Sequence, residues 1–182
     1  MKKFILCTFI IGFFLSSFYL FTAMHSLHQV HKSFYYNDKN LSKVYVAWGD
    51  VKNNFKDHIN TNLLDEIFNN SELNAELGDL SILAAGLASK FVEYAVETYI
   101  NPEGLSILLE KEDLTSEIPE PNFATLVGGI AVMNFQDLNS FYVDFEKDGK
   151  KFYIYFDRFG TLWKVTEIEI PKDIFKRLLL PN

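Results

Sequence analysis

Cysteine is nearly missing: Cys7 is the single one in 182 residues, so no intrachain disulfide can form and packing alone must hold the fold. The sequence also lacks a Gly-rich phosphate loop, a nucleophile elbow and a metalloprotease helix motif. It therefore carries no motif-level signature of those chemistries. Basic charge all but disappears in the middle of the chain. Residues 61–140 hold two lysines against fourteen Asp and Glu, a balance of −12, while residues 25–60 stand at +2 and residues 141–182 at +1. An exported portion near −9 repels phosphate backbones and anionic headgroups, which argues against a nucleic-acid partner. It reads as a solvated acidic face.

A processing signal is the next thing missing. Lys2 and Lys3 precede an uncharged run from Phe4 to Phe21, about 18 residues and thus about 27 Å of helix, close to the hydrocarbon thickness of a bilayer. A cut after Ala23 would need a small residue three positions before the bond and meets Phe21 instead. Lipoprotein processing needs a cysteine at the end of the run, and Cys7 lies near its start. We therefore read residues 1–24 as an uncleaved signal-anchor helix that engages the membrane through residues 4–21. The lysines would stay in the cytoplasm and residues 25–182 would form one domain beyond the cytoplasmic (inner) membrane. The alternative is signal cleavage and release into the periplasm.

The rest of the chain divides into helices over about 25–111, a loop over about 112–122, an antiparallel sheet over about 123–171 and a tail at 172–182. The anchor helix should continue through "HSLHQVHKSFYY" and stop before Asn37 and Asp38. A short helix over Leu41 to Trp48 precedes a longer one that Asp50 would cap, with Val51, Phe55, Ile59, Leu63, Leu64, Ile67 and Phe68 recurring at threes and fours. Asn69 to Asp79 reads as loop. "LSILAAGLASKFVEYAVETYI", from Leu80 to Ile100, has a narrow polar stripe of Gly86, Lys90, Glu93 and Glu97, the pattern of a central core helix under the sheet. As a second membrane span it would carry three charges. Asn101, Pro102 and Glu103 are the cap, first position and first-turn acid of another helix.

Phe123 to Met133 reads as a strand broken by Gly128 and Gly129. Beyond it, "NSFYVDFE", "KFYIYFD" and "TLWKVTEIEIP" alternate as strands, the first two joined by an Asp-Gly turn. Arg158 and Asp157 read as turn residues, and Trp48 and Trp163 as core residues whose indole reaches a partner. The fold class is α+β: an N-terminal transmembrane helix, then several helices packed on a C-terminal three- to four-stranded antiparallel meander.

Three blocks carry a family resemblance: "VYVAWGDVKNNFKDHINTNL", "VEYAVETYINPEGLSILL", and "LNSFYVDF" through "DRFGTLWKVTEIEIP". Their order and spacing resemble domain of unknown function 2939, bacterial envelope proteins with an N-terminal hydrophobic segment and no assigned activity. Ala47 and Lys52 stand where that family pairs an acid with an arginine, and Asn101 where it has threonine. The resemblance implies location and fold more than chemistry, and we assign no catalytic residue and no cofactor.

Two sets of side chains nevertheless have spacings that chemistry can use. His25, His28 and His31 recur at three and three, which spreads them over about 120° of a helix and would place two near one metal ion. No cysteine or nearby carboxylate completes the set, so we assign no metal. Glu93 and Glu97 lie one turn apart, as an acid and base pair would, but also as an exposed acidic stripe would. The sequence favours a non-catalytic envelope module that binds a protein partner or a small apolar ligand, over an enzyme built on these groups.

Overall fold

The computed structural model describes residues 2–69, 80–104, 106, 118–147 and 149–169. The loop expected over 70–79, most of the helix expected after Pro102, the loop at 112–117, the strand end at Pro171 and the tail at 172–182 lie outside the described residues.

Helix α1, Lys2–Tyr35, runs without a break through the end of the apolar stretch. It ends as the sequence predicts, because Asn37 takes a left-handed conformation at φ 52°. The Asp38 N–H then reaches back to the Ser33 carbonyl at 2.8 Å, and the Asn37 N–H to that of Phe34, the paired bonds that close a helix C-terminus. Asp38 has a second role: its carboxylate accepts the N–H groups of Asn40 and Leu41 and so starts helix α2, Lys39–Tyr45.

Helix α3 spans Trp48–Asn69. Its start corrects the expectation that Asp50 caps it, since Asp50 sits inside the first turn. The junction between α2 and α3 is tied to the sheet instead: Val46 bridges Val165, and the Ala47 N–H bonds the Val165 carbonyl. That bridge also ends the short helix before Trp48. Helix α4, Leu80–Tyr99, follows. Asn101 donates its amide to the Glu97 and Thr98 carbonyls and accepts the Gly104 N–H at 2.7 Å, closing α4 and opening the turn at 102–104.

The expectation of a strand from Phe123 is overturned: residues Phe123–Ala131 form helix α5. Its start is a capping box in which the Asn122 side chain accepts the Ala124 and Thr125 N–H groups and Thr125 Oγ1 accepts the Asn122 N–H. Four orphan donors at a helix start need such partners, and here local capping outweighs an apolar run that reads equally well as a strand.

Strands β1, Met133–Phe135, β2, Ser140–Lys147, β3, Lys150–Phe159, and β4, Leu162–Glu169, form an antiparallel meander in the order β1-β2-β3-β4. Gly149 and Gly160, at φ 71° and 68°, supply the positive φ values that tight hairpin turns require. A register shift opposite Tyr155 and Phe156 leaves Thr166 without a strand partner, so Val165 and Thr166 are both buried. The core stacks Phe141 on Phe156 with ring centroids 4.6 Å apart, and sets Trp163 against both α1 and Phe141.

The helix under the sheet is also a correction. Ala23 and Val30 of α1, Tyr45 of α2, Val46 of the junction and Val51 of α3 fill the inner sheet face. Helix α4 packs on α3 through Val92 and Val96 against Ile59, and leaves Leu87, Tyr94 and Tyr99 exposed. The second half of α1, rather than the helix from Leu80, is the central core helix.

Candidate functional site

Trp163 organises the junction between the apolar helix and the sheet. It is fully buried, and both of its N–H groups need partners in a place without water. The backbone N–H donates to Ser26 Oγ and the indole Nε1 to Thr22 Oγ1, each at 3.1 Å. Thr22 and Ser26 lie one turn apart on α1, facing the same strand. Tyr19, a turn earlier, packs edge-on against the indole at 5.4 Å and donates its hydroxyl to the Leu138 carbonyl. Arg158, far from being a turn residue, lies in β3 with its guanidinium 5.5 Å from the Tyr19 ring and 5.9 Å from that of Trp163.

This constellation was missed in the sequence because Tyr19 and Thr22 fall at the end of an apolar run and read as anchor. The signal that could have found it is the row Tyr19, Thr22, Ser26 at helical spacing, three hydroxyls on one face where lipid would demand none. The expected core role of Trp163 holds, partner included. Trp48 is half-buried, and its indole nitrogen has no hydrogen-bond partner.

The three histidines do not converge. His25 lies 3.2 Å from the Tyr45 hydroxyl and stacks on Phe21. His31 bonds the Pro119 carbonyl at 2.8 Å and so ties α1 to the approach of α5. His28 and His31 approach edge-to-face with ring centres 6.4 Å apart, and the His28 Nδ1 is buried without a partner. No group of three His, Cys, Asp or Glu side chains placed to hold a metal occurs among the described residues.

Glu93 and Glu97 also separate. Glu97 is half-exposed and bridges Lys52 and Lys56 of α3. Hydrogen bonds from Lys52 and then Lys56 pull its carboxyl down to about 2, so it stays ionised and is suited to clamping α4 on α3, not to proton transfer near neutrality. Glu93 is exposed one turn away.

Between α1 and α5 lies a cavity of about 130 Å³ lined by Met24, Leu27, His28, His31, Leu126 and Val143 among others. Gly129 makes the close approach of the two helices: a Cβ there would come within 3.1 Å of Leu27 Cδ2. The opposite face of α5 carries Phe123, Val127 and Ile130, exposed at helical spacing, with Phe123 79 % exposed.

Fold and junction together define a class: an α+β domain whose core is built on the end of a helix long and apolar enough, by length and composition, to cross a membrane. The family follows from comparison. The profile of the family described as a protein of unknown function, DUF2939, matches residues 10–108, more than half of the chain, and the protein belongs to that family. The matched span begins inside the apolar run. It takes in the block from Val44 and all but the last residue of the block from Val92, while the terminal strands lie beyond it. Comparison with curated proteins and with solved structures finds no match.

Proposed function

We propose that the protein is a non-catalytic interaction module of the bacterial envelope, held at the cytoplasmic membrane by a retained α1 with its domain outside the cytoplasm. The observation that carries this is the double membership of Tyr19, Thr22 and Ala23, which belong to the end of the apolar helix and also contact or fill the core. Cleavage after Ala23 would remove the Trp163 indole's acceptor and a fully buried core residue. The lysines at the N-terminus favour a cytoplasmic start.

Binding rather than catalysis is supported by how the candidate groups are used. Glu97 is taken up by two lysines, and each of the histidines His25 and His31 has its own structural partner. The inner sheet face is filled by Phe, Trp and Tyr side chains. The apolar stripe Phe123, Val127 and Ile130 on α5 stays open and suits a protein partner that meets a helix face. A second reading rests on the cavity beside it: about 130 Å³ is room for a ligand of benzene size, not of lipid or drug size.

Two measurements test the proposal. Intact mass across membrane and soluble fractions should find the full-length chain in membranes only; a soluble species lacking about the first 23 residues refutes retention. A photo-crosslinking residue at Val127 should trap membrane neighbours in cells, and one at Lys151 should not. Equal labelling from both positions would count against α5 as the contact.

A further inference from the structure

Along α1, every residue from Phe4 to Phe18 is exposed, and the domain takes hold at Tyr19. Those 15 free residues make a helix of about 22 Å, shorter than the hydrocarbon core of about 30 Å. A rigid helix that spans must therefore bring the next turn, residues 19–23, down to the level of the bilayer surface. Whatever is bonded to that turn goes with it.

One loop tip is bonded to it, and the end of β3 packs on it. Tyr19 donates to the carbonyl of Leu138 in the loop between β1 and β2, and Arg158, at the end of β3, lies over the Tyr19 ring. Asp137 accepts the Asn139 and Ser140 N–H groups at 2.6 and 2.9 Å, a local turn that engages the carboxylate while Leu138 remains 74 % exposed. At the neighbouring turn, Phe159 is 46 % exposed with the Lys164 ammonium 5.6 Å from its ring. Exposed apolar tips beside Tyr, Arg and Lys are the composition of a membrane–water interface.

We infer that the end of the sheet that carries Leu138 and Phe159 is a lipid-binding surface, seated in the headgroup layer of the same bilayer that α1 crosses. This rests on α1 as a spanning anchor and goes beyond it, since an anchor on a free tether would leave the domain in water. The short free span and the rigid bonds at Tyr19 require contact. Arg158 and Lys164 supply cations at headgroup depth, and Leu138 and Phe159 supply the apolar area below them.

The test uses the full chain in phosphatidylcholine vesicles containing doxyl-labelled lipid in both leaflets. An environment-sensitive fluorophore is placed singly at the native Cys7, or, with Cys7→Ser, at Leu138→Cys, Phe159→Cys or Lys151→Cys. The Leu138, Phe159 and Cys7 probes should be blue-shifted and lose most of their emission to the quencher, and the Lys151 probe should be wet and unquenched. If Cys7 is quenched while Leu138 and Phe159 are as wet as Lys151, the domain stands clear of the bilayer and the inference fails with the anchor intact. If Cys7 is also unquenched, the spanning reading itself falls. A Leu138 probe that is dry yet unquenched means protein covers the loop, and that too overturns lipid contact. Leu138 is exposed, so its substitution leaves the core unchanged, and the far-ultraviolet circular dichroism spectrum reports that each variant is folded.

Discussion

Trp163 donates its indole N–H to Thr22 Oγ1 at 3.1 Å, joining strand β4 to the middle of α1, just past the apolar run that ends at Phe21. This bond and the one from the Trp163 backbone to Ser26 tie the apolar helix to the sheet.

Thr22→Val keeps the shape of the side chain and removes the acceptor, leaving a buried indole N–H without a partner. Stability should fall by about 1–3 kcal/mol. Thr22→Ser should lose much less. Urea unfolding in detergent micelles, followed by tryptophan emission, checks both; equal losses would mean the hydroxyl does not matter.

Glu97→Gln tests the clamp between α3 and α4. The folded-state carboxyl is held at about 2, below its ordinary 4.5, so its stabilisation is fully present above about pH 5 and is lost as pH falls toward 2. The wild type should melt above the variant at pH 7, by a modest margin because the group is exposed. The two melting temperatures should converge near pH 2. A constant gap across that range would show that the lysine bridges carry none of it.

Asn122→Ala removes the cap of α5 and should cost about 0.5–2 kcal/mol of helix stability. Amide exchange should quicken at residues 124–127 first. Asn122→Asp, which keeps the acceptor, should restore protection; faster exchange in both variants would place the stability of α5 elsewhere.

Phe156→Ala opens the stack with Phe141 at the centre of the core. The loss should be about 3–5 kcal/mol, against a smaller loss for Phe156→Leu, which keeps most of the apolar volume but not the ring stack. Denaturant titrations of the two variants give the comparison directly. A Phe156→Ala cost near that of a surface change would mean that this face of the sheet is not the core.

The class of the fold was legible because its signals are local: alternation in β2 to β4, turn glycines, and the Asn37–Asp38 stop. Helix α5 was not, because nine residues of mixed apolar and small side chains fit either period and only Asn122 with Thr125 decides between them. The place of α4 was misjudged for a different reason. An apolar helix announces that it will be buried but not against what, and α1 had already filled the sheet face. The Trp163 junction pairs residues 141 positions apart, and no window along the chain contains both. His25, His28 and His31 share a spacing that metal sites use, yet their partners, Tyr45 and Pro119, come from elsewhere in the fold.

The outer edge of β4 has a consequence for how a partner can bind. Ser26 takes the Trp163 N–H, Ala47 takes the Val165 carbonyl, and Asn54 takes the Thr166 carbonyl at 3.1 Å. Helices α1 and α3 and the junction between α2 and α3 thus occupy hydrogen-bonding groups that an incoming strand would need at these positions. The opposite edge, β1, offers three residues, too few to template an extended peptide. Recognition by strand addition at Trp163, Val165 or Thr166 would have to displace these bonds first.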